Sequence, residues 1–278
     1  MRRQLKLVGA EGIAHVSAPP RPAEVIVGGV RVSCMSRQNL LDRMVADSLA
    51  ARKRAGRPTL VFDANGHALS LAARSPDYRR DLDAADIVHA DGQPIVIASR
   101  LLTDHPIPER SVTTDMFTDA AAVAAEAGLS FFLLGGTEAV NKRCAELMED
   151  RYAGLRVIGR RNGFFDQADE EAICAEINAS RADVVWVGLG KPKEQAFCVR
   201  NRDRIGAGWL ITCGGCFNYV TGDYGRAPLW MQRAGLEWLY RMAMDPKRFL
   251  IRYLTTNPHA LLLILTRTRR RPIRLPEG

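Results

Sequence analysis

Five short segments gather side chains able to bind or transform a polar ligand. They are Asp63-Ala64-Asn65-Gly66-His67, Asp91-Gly92-Gln93-Pro94, Gly135-Gly136-Thr137-Glu138, Gly188-Leu189-Gly190-Lys191-Pro192-Lys193-Glu194-Gln195 and Cys213-Gly214-Gly215-Cys216-Phe217-Asn218. Glycine lets backbone approach a ligand closely, and a helix that starts after such a turn points free amides at a phosphate. Gly135, Gly136 and Gly190 are therefore expected to lie against substrate. One such turn is weak evidence in any α/β protein. Five of them, with Asp, Asn and Gln among them, fit a nucleotide-sugar or dinucleotide site. Asp91 suits a general base, and on local grounds it suits equally well a helix cap ahead of Pro94.

Several familiar chemistries fail on spacing. No Gly-x-Gly-x-x-Gly follows the first apolar run, which weakens an NAD-linked oxidoreductase. Gly190-Lys191 is followed by proline, so it is not a Walker-type phosphate loop. Asp81-Leu82-Asp83 has the form of a metal-binding Asp-x-Asp, but it sits in the charged helical stretch from Tyr78 to Asp86, where solvated carboxylates are the better reading. The six cysteines are scattered apart from Cys213 and Cys216, and that pair has no second Cys/His pair at zinc spacing. They read as reduced thiols, with no metal site and no cofactor expected.

The segments with chemistry follow apolar runs that alternate with helical periodicity. Thr59–Phe62, Asp86–Ala90, Ser130–Leu134, Arg156–Gly159, Asp183–Val187 and Gly208–Thr212 read as strands. Gln38–Lys53, Thr114–Ala127, Glu138–Arg151 and Glu170–Ser180 read as helices, and Val25–Cys34, with Gly28-Gly29 at its centre, as a hairpin. Alternation of this kind predicts an α/β fold: a Rossmann-like, mostly parallel sheet with helices on both faces. Ligands bind such sheets outside the carboxyl ends of the strands, where the five segments fall. The 278 residues divide into a loose Pro/Ala-rich arm over 1–23, a main domain over 24–222 and an appendage over 223–278.

In this order the motifs resemble one family, the WecG/TagA/CpsF glycosyltransferases of bacterial surface-polysaccharide assembly. The resemblance runs from about residue 25 to about 253. It is carried by Asp63-Ala64-Asn65, Ala90-Asp91-Gly92, Leu134-Gly135-Gly136, Val187 to Gln195, Gly214-Gly215, Arg226-Ala227-Pro228 and Gly235 to Arg241. It implies inverting transfer of a hexosyl or N-acetylhexosaminyl group from a UDP-sugar to a polyprenyl-diphosphate-linked saccharide. It also implies a C-terminal appendage that helps complete the site at a membrane. On this resemblance Asp91 is the base, Asp63 and Asn65 hold donor or acceptor hydroxyls, and Gln195 holds donor or acceptor. Asp63, where that family often has Thr, bears on the donor sugar rather than on the type of reaction.

Charge distribution fits the same picture. Residues 223–278 hold eleven Arg/Lys against four Asp/Glu, while the preceding 222 hold 28 against 27. A neutral body with a basic, aromatic-rich appendage suits an enzyme that meets an anionic surface. Asp245-Pro246 reads as the start of a helix that carries Arg248 and Arg252 on one face, with Arg241 ending the helix before it. Arg226, Arg241, Arg248 and Arg252 are expected to meet substrate diphosphate or lipid headgroups. Beyond them, residues 246–278 read as short basic and apolar segments lying on a membrane. The five arginines between 267 and 274 lack interleaved aromatics, which argues against a nucleic-acid partner. No segment reads as a secretory signal, so a cytoplasmic protein peripheral to the inner membrane face is expected. A homo-oligomer and a non-catalytic sugar-binding role remain open at this level.

Overall fold

The structure is a computed structural model that describes residues 22–53 and 56–270. Residues 1–21 of the expected arm, and Arg271 and Arg274 of the tail, lie outside the described residues.

The six expected strands all form, as β3 (Thr59–Ala64), β4 (Ile87–Ala90), β5 (Ser130–Gly135), β6 (Arg156–Arg161), β7 (Val184–Gly188) and β8 (Trp209–Thr212). They make one parallel sheet in the order β4-β3-β8-β7-β5-β6. Strand side chains alternate between two cores. Leu60, Phe62, Phe132, Leu134, Val185, Val187 and Leu210 face one, while Val61, Phe131, Leu133, Val184, Trp186, Trp209 and Ile211 face the other. Apolar residues on both faces require helices on both faces, the arrangement of a buried parallel sheet.

Helices α1 (Arg37–Lys53), α5 (Thr113–Ala127) and α6 (Glu138–Arg151) cover one face. Helices α2 (Gly66–Arg74), α3 (Pro76–Asp83), α4 (Gln93–Leu102), α7 (Glu170–Ser180) and α8 (Lys193–Asn201) cover the other. Helix α9 (Cys216–Thr221) follows β8. The hairpin also forms, with β1 (Glu24–Val27) antiparallel to β2 (Val30–Ser33). Gly28 and Gly29 have φ of 61° and 81°, the positive pair that a two-residue hairpin turn demands.

Residues beyond 222 form α10 (Leu229–Arg233), α11 (Glu237–Met244) and α12 (Pro246–Arg267). Where short segments are expected over 246–278, residues 246–267 are instead one 22-residue helix that continues through Pro258, and 271–278 lie outside the described residues. Proline removes one backbone donor, yet Tyr253, Thr256, Ala260, Leu263 and Ile264 bury a stripe along α12 at helical spacing. Helix α12 lies against α2, where Ser70 Oγ and His259 Nδ1 are 2.9 Å apart. Past it the backbone clasps the hairpin: Gly29 N–H donates to Arg267 O at 2.9 Å and Arg269 N–H to Ile26 O at 3.0 Å. No helix among the described residues is long and apolar enough to cross a membrane.

Candidate active site

A cavity of about 830 Å³ opens at the carboxyl ends of β3, β4, β7 and β8. Asp63, Asn65, Asp91, Gly190, Arg241 and Arg252 line it, so six of the residues expected from sequence converge. Asn65 caps α2 through its side-chain oxygen, which accepts from the Ala68 N–H at 3.1 Å. Its amide nitrogen is thereby turned toward the cavity floor, where it donates to Asp63 Oδ2 at 3.1 Å and to Asp91 Oδ2 at 3.2 Å.

Asp91 does not cap α4. Gly92 occupies that position, with no side-chain bond to the helix. The carboxylate reaches across to α5 instead, where Oδ1 accepts the Thr113 N–H at 3.1 Å. Its own carbonyl is held by Arg110 Nε at 2.6 Å. Burial opposes ionisation of Asp91, but Arg110, Lys191 and the Thr113 N–H outweigh it and hold the carboxyl below the usual carboxylate range.

Lys191 and Glu194, both from the fourth segment, complete the floor. Lys191 Nζ lies 2.6 Å from each oxygen of Asp63 and 3.8 Å from Glu194 Oε1. Burial favours loss of the lysine proton, yet Asp63 and Glu194 override it and keep the ammonium charged. Glu194 Oε2 accepts the N–H groups of Gly190 and Gly214, each at 3.0 Å, and so ties together the loops after β7 and β8. Burial pushes the Glu194 carboxyl up to about 7, against the pull of Lys191.

Helices α11 and α12 close the opposite wall with Trp238, Arg241, Arg252 and Tyr253. Arg241 lies over the Tyr219 ring at 5.0 Å, and Arg252 over Phe249 at 4.8 Å and Tyr253 at 5.1 Å. Among the described residues, the Nε donors of both arginines are buried without a hydrogen-bond partner. Glu237 fixes this wall to the body: its carboxylate takes Arg110 at 2.9 Å and Arg241 at 3.1 Å. His67, at the start of α2, also lines the cavity. Burial and the charges of Arg252 and Lys191 push its imidazole down to about 4, so it is neutral near pH 7.

Other expected residues stand outside the lining. Gln195 is fully buried behind the wall, donating to Glu194 Oε1 at 3.3 Å, and the cavity face of that helix belongs to Glu194. Gly135 serves close packing, since a Cβ there would stand 2.3 Å from Gly188 O, and Gly136 supplies a turn with φ of 65°. Arg226 bonds Asp115 at 2.7 Å and Gln232 at 2.9 Å, one shell behind Glu237. The Arg248 side chain lies outside the described ones. Asp81 and Asp83 are on α3, away from the cavity, with Asp83 paired to Arg79 at 2.6 Å. Sequence reasoning passed over Lys191, Glu194, His67, Arg110 and Glu237. The first three stand inside the quoted segments and carried a signal, whereas Arg110 and Glu237 are joined only by the fold.

The family model described as "Glycosyl transferase WecG/TagA/CpsF family" matches residues 25–274. That span includes the sheet, the cavity floor and the closing helices.

Proposed function

The chain belongs to the WecG/TagA/CpsF family of glycosyl transferases, and from that premise we propose an inverting transfer from a UDP-sugar to a lipid-diphosphate-linked saccharide. The group moved is a hexosyl or N-acetylhexosaminyl group, and the pathway is exopolysaccharide or cell-surface polysaccharide assembly. Asp91 takes the proton of the acceptor hydroxyl as that oxygen bonds to the anomeric carbon. The bond from that carbon to the diphosphate breaks, and UDP leaves with the electron pair. Charge on the departing diphosphate is met by Arg241 and Arg252 rather than by a metal ion.

The observation that carries this reading is the cavity's polarity across its width. A carboxylate held ionised faces, from the far wall, two guanidinium groups whose buried Nε donors lack partners. Buried donors without acceptors are costly, and a bound diphosphate would supply the acceptors. A panel of UDP-sugars incubated with a short-chain lipid-diphosphate saccharide, read by UDP release and product mass, tests the reading. Product of the expected mass with inverted anomeric configuration, formed equally with excess EDTA, supports it. UDP release without acceptor glycosylation, or loss of turnover on chelation that Mg²⁺ restores, would sink it in this form.

The appendage is read as the membrane contact. Ile251, Leu254, Leu261, Leu262 and Leu265 are exposed on α12 opposite its buried stripe, and Leu229 and Trp230 are exposed on α10. Exposed apolar surface near Arg267, Arg269 and Arg270 suits a helix lying in the interface of an anionic leaflet, at the inner face of the cell membrane. There a lipid-linked acceptor presents its diphosphate at headgroup level.

A further inference from the structure

Asp91 shares its hydrogen-bond donor with a second carboxylate. Asn65 Nδ2 bridges Asp63 Oδ2 and Asp91 Oδ2. Two carboxylates that share one donor repel, and a counter-charge is needed to keep both ionised. A base that holds a proton cannot accept one from the acceptor. Lys191 is the counter-charge at this point, bonded to both oxygens of Asp63, and among the described residues it is the only cation paired with that carboxylate. The side chains of Lys191 and Asp63 are 9% and 3% exposed, so water screens neither charge well.

We propose that Lys191 is a positioning residue for the transfer: by neutralising Asp63 it leaves Asp91 a free carboxylate, which the shared Asn65 amide aims at the acceptor hydroxyl. The proposal rests on the reading of Asp91 as the base. The charged and titratable groups around Asp91 come from five directions. They are Asp63 on β3, His89 on β4, Arg110 before α5, Lys191 after β7 and Arg241 on α11. His89 is fully buried, with Nδ1 3.0 Å from Ser111 O, and burial pushes its pKa down, so it brings no charge near neutral pH. Arg110 acts on Asp91 more strongly than Lys191 does, and it bonds Glu237 as Arg241 also does, but neither arginine is paired with Asp63. Lys191 alone among these cations contacts the carboxylate with which Asp91 shares its donor.

A bond that only pinned the loop after β7 to β3 would be damaged in the same way from either side. A device that sets charge responds with opposite signs, and that difference is the test. Lys191→Met, Asp63→Asn and the double variant are compared with the parent protein for the acid limb of kcat/KM against pH. The same proteins are titrated by NMR of ¹³C-labelled aspartate carboxyls, with the Asp91 resonance assigned by its loss in Asp91→Asn. Lys191→Met should move the Asp91 titration and the acid limb upward by about 1–3 pH units. Asp63→Asn should move them downward, and the double variant should return them close to the parent. Lys191→Gln, which can still donate to Asp63, replaces the Met variant if that one does not fold and should shift in the same direction. Unmoved titration in the lysine variants, or shifts of one sign on both sides of the pair, would overturn the proposal. If Asp91→Asn keeps near-parent turnover, the assignment of the base fails, and the NMR titration still decides what Lys191 does.

Discussion

At the scale of single residues, the site works by making one carboxylate answer to several constraints. Asp91 is fixed at both oxygens, by Asn65 and by the first amide of α5, and at its carbonyl by Arg110. Replacing Asp91 with Asn should preserve folding and UDP binding while lowering turnover by about 10²–10⁴-fold, the usual cost of losing a general base. Near-parent turnover in that variant, measured with a saturating acceptor, would reduce Asp91 to a structural clamp. His67 gives a second expectation, in stability rather than rate. Its imidazole titrates at about 4 in the fold against 6.5 for the unperturbed group. Between those values the unfolded chain binds a proton that the folded chain refuses, so this group's contribution to stability falls as pH drops from 6.5 toward 4. The full loss is on the order of 3 kcal/mol. Urea midpoints at pH 7 and pH 5 should therefore differ less in His67→Gln than in the parent, and an unchanged difference would count against the burial argument.

Among the elements, strands were legible because a sheet covered on both faces leaves runs that admit few other readings. All six expected strands form, and α6 and α7 keep the limits their periodicity gave. The appendage was harder to read. Its basic and apolar residues read as short segments, and nothing local announces that Ala260, Leu263 and Ile264 will join the core beside α2. For the same reason Asp63, Asn65 and Asp91 could be placed from their strands, while Arg110 and Glu237, distant in sequence, could not. Gly135 shows how an element boundary can pass for a binding motif. With φ of 137° and Gly188 O where a Cβ would stand, it is a point of contact between the ends of β5 and β7. Gly135→Ala should cost about 3 kcal/mol in chemical denaturation, from strain and overpacking together. A loss below about 1 kcal/mol would show that the two loops can part without harm.

At the scale of the whole molecule, the two faces of α12 divide the labour of the appendage. Its inner stripe is core, and its outer stripe, with Leu229 and Trp230 on α10, stays exposed. Replacing Leu229, Trp230, Ile251 and Leu254 with Ser should weaken sedimentation with anionic vesicles, while transfer to a soluble short-chain acceptor persists. Arg252→Ala should do the reverse, since that guanidinium lines the cavity. Vesicle binding undiminished in the serine variant would place the membrane contact elsewhere. Salt should weaken binding in either case, because each basic side chain near the leaflet contributes roughly 1 kcal/mol that ions screen.

The clasp between Arg267, Arg269 and the β1–β2 turn carries a further consequence, for synthesis rather than catalysis. The hairpin emerges from the ribosome before any strand of the sheet, and the segment that clasps it emerges after all of them. Until then the cavity lacks Trp238, Arg241, Arg252 and Tyr253, so a nascent chain with a finished sheet has a floor and no far wall. The far wall of the cavity and the exposed apolar face of α12 therefore form together, after every strand of the sheet. A chain interrupted before α11 is left without either.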